Sequence, residues 1–304
     1  MKVAFIVNPA SGNGGTGKRW PAIWERISAG APEHSALLTA RAGHATELAS
    51  EALAAGVDTV VAVGGDGTLS EVANGFFAGP ERYPDAALGL LPFGTGGDFR
   101  RTLGIPMELD AAVACINARK LRQIDVGRIE LEGLDGGRSV RYFVNIADAG
   151  IGGVVVERVN HTTKLFGGKA SFMYASMATL LSYKPQLVRV RTAEQSWAGK
   201  AQNVVVANCQ YFGGSMHVAP RAEPDDGLFD LVVFGDIARF EAIKSINDIY
   251  KADHVKNPKV TSWRSSRVEI SSDERVLIDV DGEMSGTLPA IFEVLPKAIS
   301  VIVP

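Results

Sequence analysis

Thr59-Val60-Val61-Ala62-Val63-Gly64-Gly65-Asp66-Gly67-Thr68-Leu69-Ser70-Glu71-Val72-Ala73-Asn74-Gly75 passes from an apolar run through a glycine-rich turn into a helical pattern. A short apolar run bounded by glycine suits a strand buried on both faces. The segment beyond the turn predicts a helix from about Thr68 to Phe77. The same unit recurs on either side. Val3 to Val7, Ser35 to Thr39 and Ala87 to Leu91 read as strands. Helices are expected from about Lys18 to Ser28, from His44 to Ala55, and over a segment ending near Arg119. Strands alternating with helices predict a doubly wound α/β domain over residues 1–122, its parallel sheet covered on both faces.

The pattern changes near Leu121. Short β-rich runs separated by turn residues follow: Gln123 to Glu130, Val140 to Ile146, Leu187 to Thr192, Gln202 to Asn208, Leu228 to Phe234, Arg267 to Ser271 and Arg275 to Val280. They predict a mainly antiparallel, β-sandwich-like domain over residues 123–285. Two helical segments interrupt it, Lys169 to Ser182 and Ala238 to Lys251.

The chain has 304 residues, enough for two domains. With 31 Lys plus Arg against 34 Asp plus Glu, it has no basic excess to suit nucleic acid. Its two cysteines, Cys115 and Cys209, lie far apart and in no metal spacing, which fits a reducing cytoplasm. The opening apolar run is too short for a signal-peptide core. The apolar stretch from Ala170 to Tyr183 is shorter than the roughly 20 residues a membrane span needs. Its Met and aromatic residues at helical spacing suit a helix packed on the β domain, or a surface facing lipid.

Three glycine-rich turns follow strands of the first domain: Asn8-Pro9-Ala10-Ser11-Gly12, Gly64-Gly65-Asp66-Gly67-Thr68, and Gly94-Thr95-Gly96-Gly97-Asp98. In a doubly wound sheet they belong at the carboxyl ends of the strands, where ligands bind. Glycine lets main-chain amides approach an anion, and the following helix points its positive end at it. Three converging turns make a place for a polyphosphate. Asp66 needs a bridging Mg²⁺ or a hydrogen bond to stand beside one, or else it caps the next helix. Gly12 to Lys18 also spells most of a Walker A loop, but Arg19 stands where Ser or Thr must reach Mg²⁺. His44 and His217 read as structural residues.

The Gly64 to Gly75 stretch resembles the signature shared by diacylglycerol, sphingosine, ceramide and NAD kinases. Asn8 to Gly12, Leu91 to Arg101, Asp125-Val126-Gly127, Gly150-Ile151-Gly152, Gly213-Gly214, Pro224 to Leu228 and Asp281-Gly282-Glu283 resemble further motifs. Together they place the chain closest to the bacterial diacylglycerol kinase branch. Gly97 stands where that family usually has Asn, Ser70 where Asn is frequent, and Ser215 where a third Gly is frequent.

The resemblance implies an ATP- and Mg²⁺-dependent kinase acting on a lipid hydroxyl such as that of diacylglycerol. The alternatives are a sphingoid-base or NAD kinase, or a silent nucleotide- or lipid-binding protein. It implies that residues 286–304 return to the first domain and that ATP lies between the domains. The implied ATP contacts are Asn8, Pro9, Ala10, Ser11, Gly12, Thr39, Gly64, Gly65, Asp66, Gly67, Thr68, Leu69, Ser70, Gly94 and Thr95. Glu283 is the implied general base, with Asp66 the next candidate and Asp281 assisting or binding metal. Glu223 and Leu228, through their carbonyls, and Asp226 are the implied Mg²⁺ ligands, with Asp125 joining through a water. A cytoplasmic protein touching membranes peripherally is expected, with a homodimer left open.

Overall fold

The computed structural model describes residues 1–304 except 30, 80–82, 95–96 and 163–175. It divides into two compact units, residues 1–124 with 297–304, and residues 125–296.

In the first unit, β1 (Val3–Val7), β2 (Ser35–Leu38), β3 (Thr59–Gly64) and β4 (Ala87–Pro92) form a parallel sheet in the order β4-β3-β1-β2. Every residue of β1 and β3 is buried, which is why these strands read as unbroken apolar runs. The flanking helices are α1 (Gly15–Ser28), α2 (His44–Ala54), α3 (Asp66–Gly75), α4 (Asp98–Leu103) and α5 (Leu109–Ala118). Trp20, Ile23, Trp24 and Ile27 recur at helical spacing on α1 and pack in the core around Phe5. Glu71, on α3, accepts the amides of Gly43 at 2.9 Å and Ala45 at 3.0 Å, so it caps the start of α2.

The second unit is a β-sandwich-like body. One row of strands runs β14 (Val260–Ser265), β13 (Phe229–Phe234), β10 (Asn203–Ala207), β7 (Ile146–Gly150), β16 (Leu277–Val280) and β17 (Glu283–Ile302). The other runs β9 (Ser196–Ala201), β8 (Gln186–Arg191), β15 (Arg267–Ser271), β17, β5 (Leu121–Glu132) and β6 (Arg138–Phe143). A small hairpin joins β11 (Tyr211–Phe212) to β12 (Met216–His217). The core between the rows includes Phe143, Phe229, Phe292, Val190, Val206 and Ile278. A Cβ on Gly127 would sit 2.1 Å from the Phe143 ring, so this glycine leaves room for a large core side chain beside it. β17 pairs with β16 and β15 in this unit, and its last residues run parallel to β4 in the first unit's sheet.

Several elements differ from the sequence expectation. Val140 to Ile146 is not one strand: β6 ends at Phe143 and β7 begins at Ile146. The intervening amides turn away to a carboxylate described below. Residues 151–162 form a helix, α6 (Ile151–Thr162), where glycines and a Val triplet gave no helical signal. Of the expected Lys169 to Ser182 helix, residues 176–182 are helical and the earlier part lies outside the described residues. The helix expected at Ala238 is α7 (Arg239–Tyr250). Among the described residues no helix is long and apolar enough to cross a membrane.

Candidate functional site

In the first unit the three glycine-rich turns meet. Asn8 donates its amide to Val63 O at 3.0 Å, and its side-chain Nδ2 donates to Thr68 Oγ1 at 3.0 Å, tying the first turn to the second. Phe93 N donates to Gly64 O at 2.8 Å, tying the third to the second. A Cβ on Gly94 would lie 2.4 Å from Gly65 Cα, so only glycine allows these two main chains to touch. Gly12 has φ +58, and a Cβ there would lie 2.8 Å from Phe93 O, so the first and third turns are also in contact. Thr39 N reaches Val7 O at 2.8 Å and brings the end of β2 alongside the first turn.

The helices leaving the turns, α1, α3 and α4, each start from a glycine with no side-chain cap. At α4 another turn supplies the cap. Asp66 Oδ2 accepts Gly97 N at 2.7 Å and Asp98 N at 3.3 Å. Asp66 therefore caps α4, the helix of the third turn, and not α3, where it resides; this corrects the capping alternative. At α1 the main chain closes on itself: Gly14 N bonds Ala10 O, Gly15 N bonds Gly12 O, Thr16 N bonds Ser11 O and Gly17 N bonds Pro9 O. A Walker A loop needs such amides for phosphate, so the Gly12 to Lys18 spacing has a different use here. Arg19 lies over the Phe93 ring at 5.1 Å. Pro9, Ala10 and Ser11 line the first turn, and Gly67 and Ser70 lie in the first turns of α3. Leu69 is 2% exposed and belongs to the core. Thr95 lies outside the described residues.

In the second unit, Asp281 and Gly282 form a two-residue loop between β16 and β17, with φ of 50° and 89°. Two positive φ values are the signature of a type I′ hairpin turn, for which Asp-Gly is a preferred pair. Glu283 follows, opposite Val280, on the exposed side. The Asp281 carboxylate is buried. It accepts Val144 N at 3.1 Å, Asn145 N at 3.1 Å and Ile146 N at 3.0 Å. Three successive amides on one carboxylate form an anion nest. This separates β6 from β7 and anchors the Glu283 hairpin through Asp281.

The acidic turn is held from the same framework. Asp125 is 0% exposed, and its Oδ2 accepts Gly227 N at 2.6 Å. Asp125 N donates to Pro224 O at 2.6 Å. Asp226 accepts Leu228 N at 3.0 Å and pairs with Arg264, which also reaches Asp230 at 3.2 Å. Burial pushes the Asp230 carboxyl up to about 6, with Arg221 opposing that rise. Asn208, which the sequence reading missed, links hairpin and turn: its Nδ2 reaches both Asp125 O and Val144 O at 2.9 Å. The one signal was a polar residue at the end of an apolar run. Carboxylates and carbonyls are the right donors for Mg²⁺. Among the described residues no cluster of three or more His, Cys, Asp or Glu makes a metal site on side chains alone, so Glu223 and Leu228 would have to contribute main-chain oxygens. His44 accepts Ala40 N at 3.0 Å, and His217 stacks on Tyr211 at 4.4 Å, structural uses in both cases.

Residues 2–129 match the model of the diacylglycerol kinase catalytic domain, and residues 145–303 that of the YegS C-terminal NAD kinase beta sandwich-like domain. A diacylglycerol kinase of Bacillus subtilis (strain 168) is 31% identical, over 100% of this chain and 97% of the relative. One from Staphylococcus carnosus (strain TM300) is 30% identical, over 100% and 95%. A solved structure of a proposed diacylglycerol kinase from Bacillus anthracis str. Sterne superposes with a TM-score of 0.80 at 26% identity, covering 100% of this chain and 95% of that one. An α/β unit with converging glycine-rich turns and a β-sandwich-like partner thus defines the class, an ATP-dependent lipid kinase. The chain belongs to the diacylglycerol kinase family.

Proposed function

We propose that the protein moves the γ-phosphate of ATP onto the free hydroxyl of diacylglycerol, giving phosphatidate and ADP. The observation that best supports this is the meeting of three turns whose main chains approach to glycine-only distances at the start of α3. Phosphoryl transfer asks a protein mainly for positioning and charge neutralisation. In this reading the domain of residues 1–122 holds the nucleotide. Asn8 to Gly12, Gly64 to Thr68, Ser70, Thr39 and Gly94 contact it, with α3 presenting its positive end to the phosphates. Asp66 keeps the third turn docked on the second through Gly97 and Asp98.

Glu283 accepts the proton of the acceptor hydroxyl as the new P–O bond forms and the bond to ADP breaks. Its turn is fixed by the Asp281 nest, so the carboxylate is presented from a rigid hairpin. The carbonyls of Glu223 and Leu228 and the Asp226 carboxylate would hold Mg²⁺ at the acidic turn, with Asp125 setting the turn. When bound, the ion neutralises the acidic turn that Asn208 links to the Glu283 hairpin. Such a cation competes with Arg264 for Asp226. An acceptor dissolved in a bilayer requires peripheral contact with the membrane from the cytoplasmic side.

The test is incubation with γ-labelled ATP and an acceptor panel of diacylglycerol vesicles, sphingosine and NAD. Label recovered in phosphatidate supports the reading. Label in sphingosine phosphate or NADP moves the acceptor elsewhere within the superfamily, and no transfer to any acceptor identifies a silent binding protein.

A further inference from the structure

The third turn of the first unit ends on a residue without a side chain, and a cation fills the space beside it. Gly97 is the N-cap of α4, with φ +87. Its amide is given to Asp66 Oδ2 at 2.7 Å. A Cβ on Gly97 would lie 2.9 Å from Arg100 Nε, 3.3 Å from its Cδ and 3.5 Å from its Cγ. Residues three apart share one helix face, and long side chains lean back toward the start of the helix. Arg100 therefore lies along the first turn of α4, its stem against the Gly97 main chain. The far end is held as well. Nη1 donates to Ile105 O at 3.2 Å, and Ile105 N donates to Arg100 O at 2.9 Å. A side chain at position 97, where the family usually has Asn, would need the space that Arg100 occupies.

This seat leaves the guanidinium incompletely partnered. Arg100 Nε is buried and has no hydrogen-bond partner among the described residues. Arg100 belongs to no ion pair among them. A buried donor without an acceptor is destabilising, so its presence calls for an account. Burial, with Arg101 adding to it, lowers the pKa of Arg100 from its usual value, and Asp66 and Asp98 oppose that fall. A guanidinium stays charged even so. A permanent positive charge thus sits against the residue whose amide Asp66 grips.

The charge has a use at this place. A polyphosphate at the turns lies beside Asp66, and like charges repel. The amides of Gly97 and Asp98 satisfy the Asp66 carboxylate without cancelling its charge. We propose that Arg100, seated in the space Gly97 leaves, is the counter-charge that lets the third turn stand beside a polyphosphate, so that the site reads how many phosphates the nucleotide carries. The inference rests on the nucleotide lying at the three turns. Arg100 is a positioning residue that acts across Gly97 and Asp66. Its contribution grows with the charge of the ligand: none for adenosine, some for ADP, most for ATP.

The experiment measures adenosine, ADP and ATP affinity by calorimetry in one Mg²⁺ buffer, at low and high NaCl. The proteins are wild type, Arg100→Met, Arg100→Lys, Gly97→Asn and the double variant Gly97→Asn with Arg100→Met. Methionine keeps an unbranched stem without the charge. Arg100→Met should weaken ATP about tenfold, ADP less and adenosine not at all, and the ATP loss should shrink at high salt, as a charge effect does. Arg100→Lys should restore most of the ATP affinity, because it keeps the charge. Asn tolerates positive φ, so Gly97→Asn disturbs the seat of Arg100 more than the backbone. It should weaken ATP several-fold, and the double variant should bind ATP no more weakly than Arg100→Met, because both changes remove one charge from one place. Additive losses overturn the proposal. So does an Arg100→Met that lowers all three affinities alike and is not rescued by lysine, which is the pattern of a merely structural residue. If wild type binds ATP no more tightly than adenosine, the placement of the nucleotide has failed and the inference with it. If wild type favours ATP and Arg100→Met favours it equally, the inference alone has failed.

Discussion

In the first unit the functional turns meet main chain to main chain. Gly94 lies on Gly65, Gly12 lies on Phe93, and Asp66 makes a charged tie to the amides of Gly97 and Asp98. In the second unit the functional segments hang from buried carboxylates. Asp281 holds three amides, and Asp125 holds Gly227. The difference follows from what each region has to present. A polyphosphate is met by exposed main-chain amides, so side chains must stay out of the way. A base and a cation site need carboxylates at fixed positions, and buried charge-assisted hydrogen bonds to main chain fix them more firmly than turn propensity does.

The contrast predicts unequal costs. Asp281→Ala leaves three amides without an acceptor in a buried place, so it should destabilise the chain by about 3–5 kcal/mol in denaturant titration. A loss under about 1 kcal/mol would mean that the nest is filled by water and that the hairpin is held by its turn alone. Asp66→Ala removes a half-buried tie from a region braced by main-chain contacts, so the expected loss is smaller, about 1–2 kcal/mol. Its larger consequence should be weaker ATP binding by calorimetry, because the third turn is no longer docked. Unchanged ATP affinity in Asp66→Ala would break the account of the turns.

The legibility of the two units differs for the same reason. β1, β3 and β4 were readable because burial on both faces leaves unbroken apolar runs, and the turns after them because glycine is demanded locally. Asp-Gly before Glu283 was readable as a turn. The break at Val144-Asn145 was not, because its cause, Asp281, lies 137 residues from Val144 along the chain. Nor was α6, whose Gly152-Gly153-Val154-Val155-Val156 contradicts helical propensity and is overruled by packing on β16 and β7. Asp66 was singled out for nucleotide chemistry, but its contact with the third turn depends on three loops closing in space.

The central claim is that this family member carries its base on the Asp281-anchored hairpin. Glu283→Gln tests it most directly, since glutamine keeps the size and hydrogen-bonding capacity but cannot take a proton. The predicted result is a loss of turnover of roughly 10²- to 10⁴-fold, the usual worth of a general base, with ATP affinity nearly unchanged. Turnover within a few-fold of wild type, or a loss that appears instead as weakened ATP binding, would contradict it.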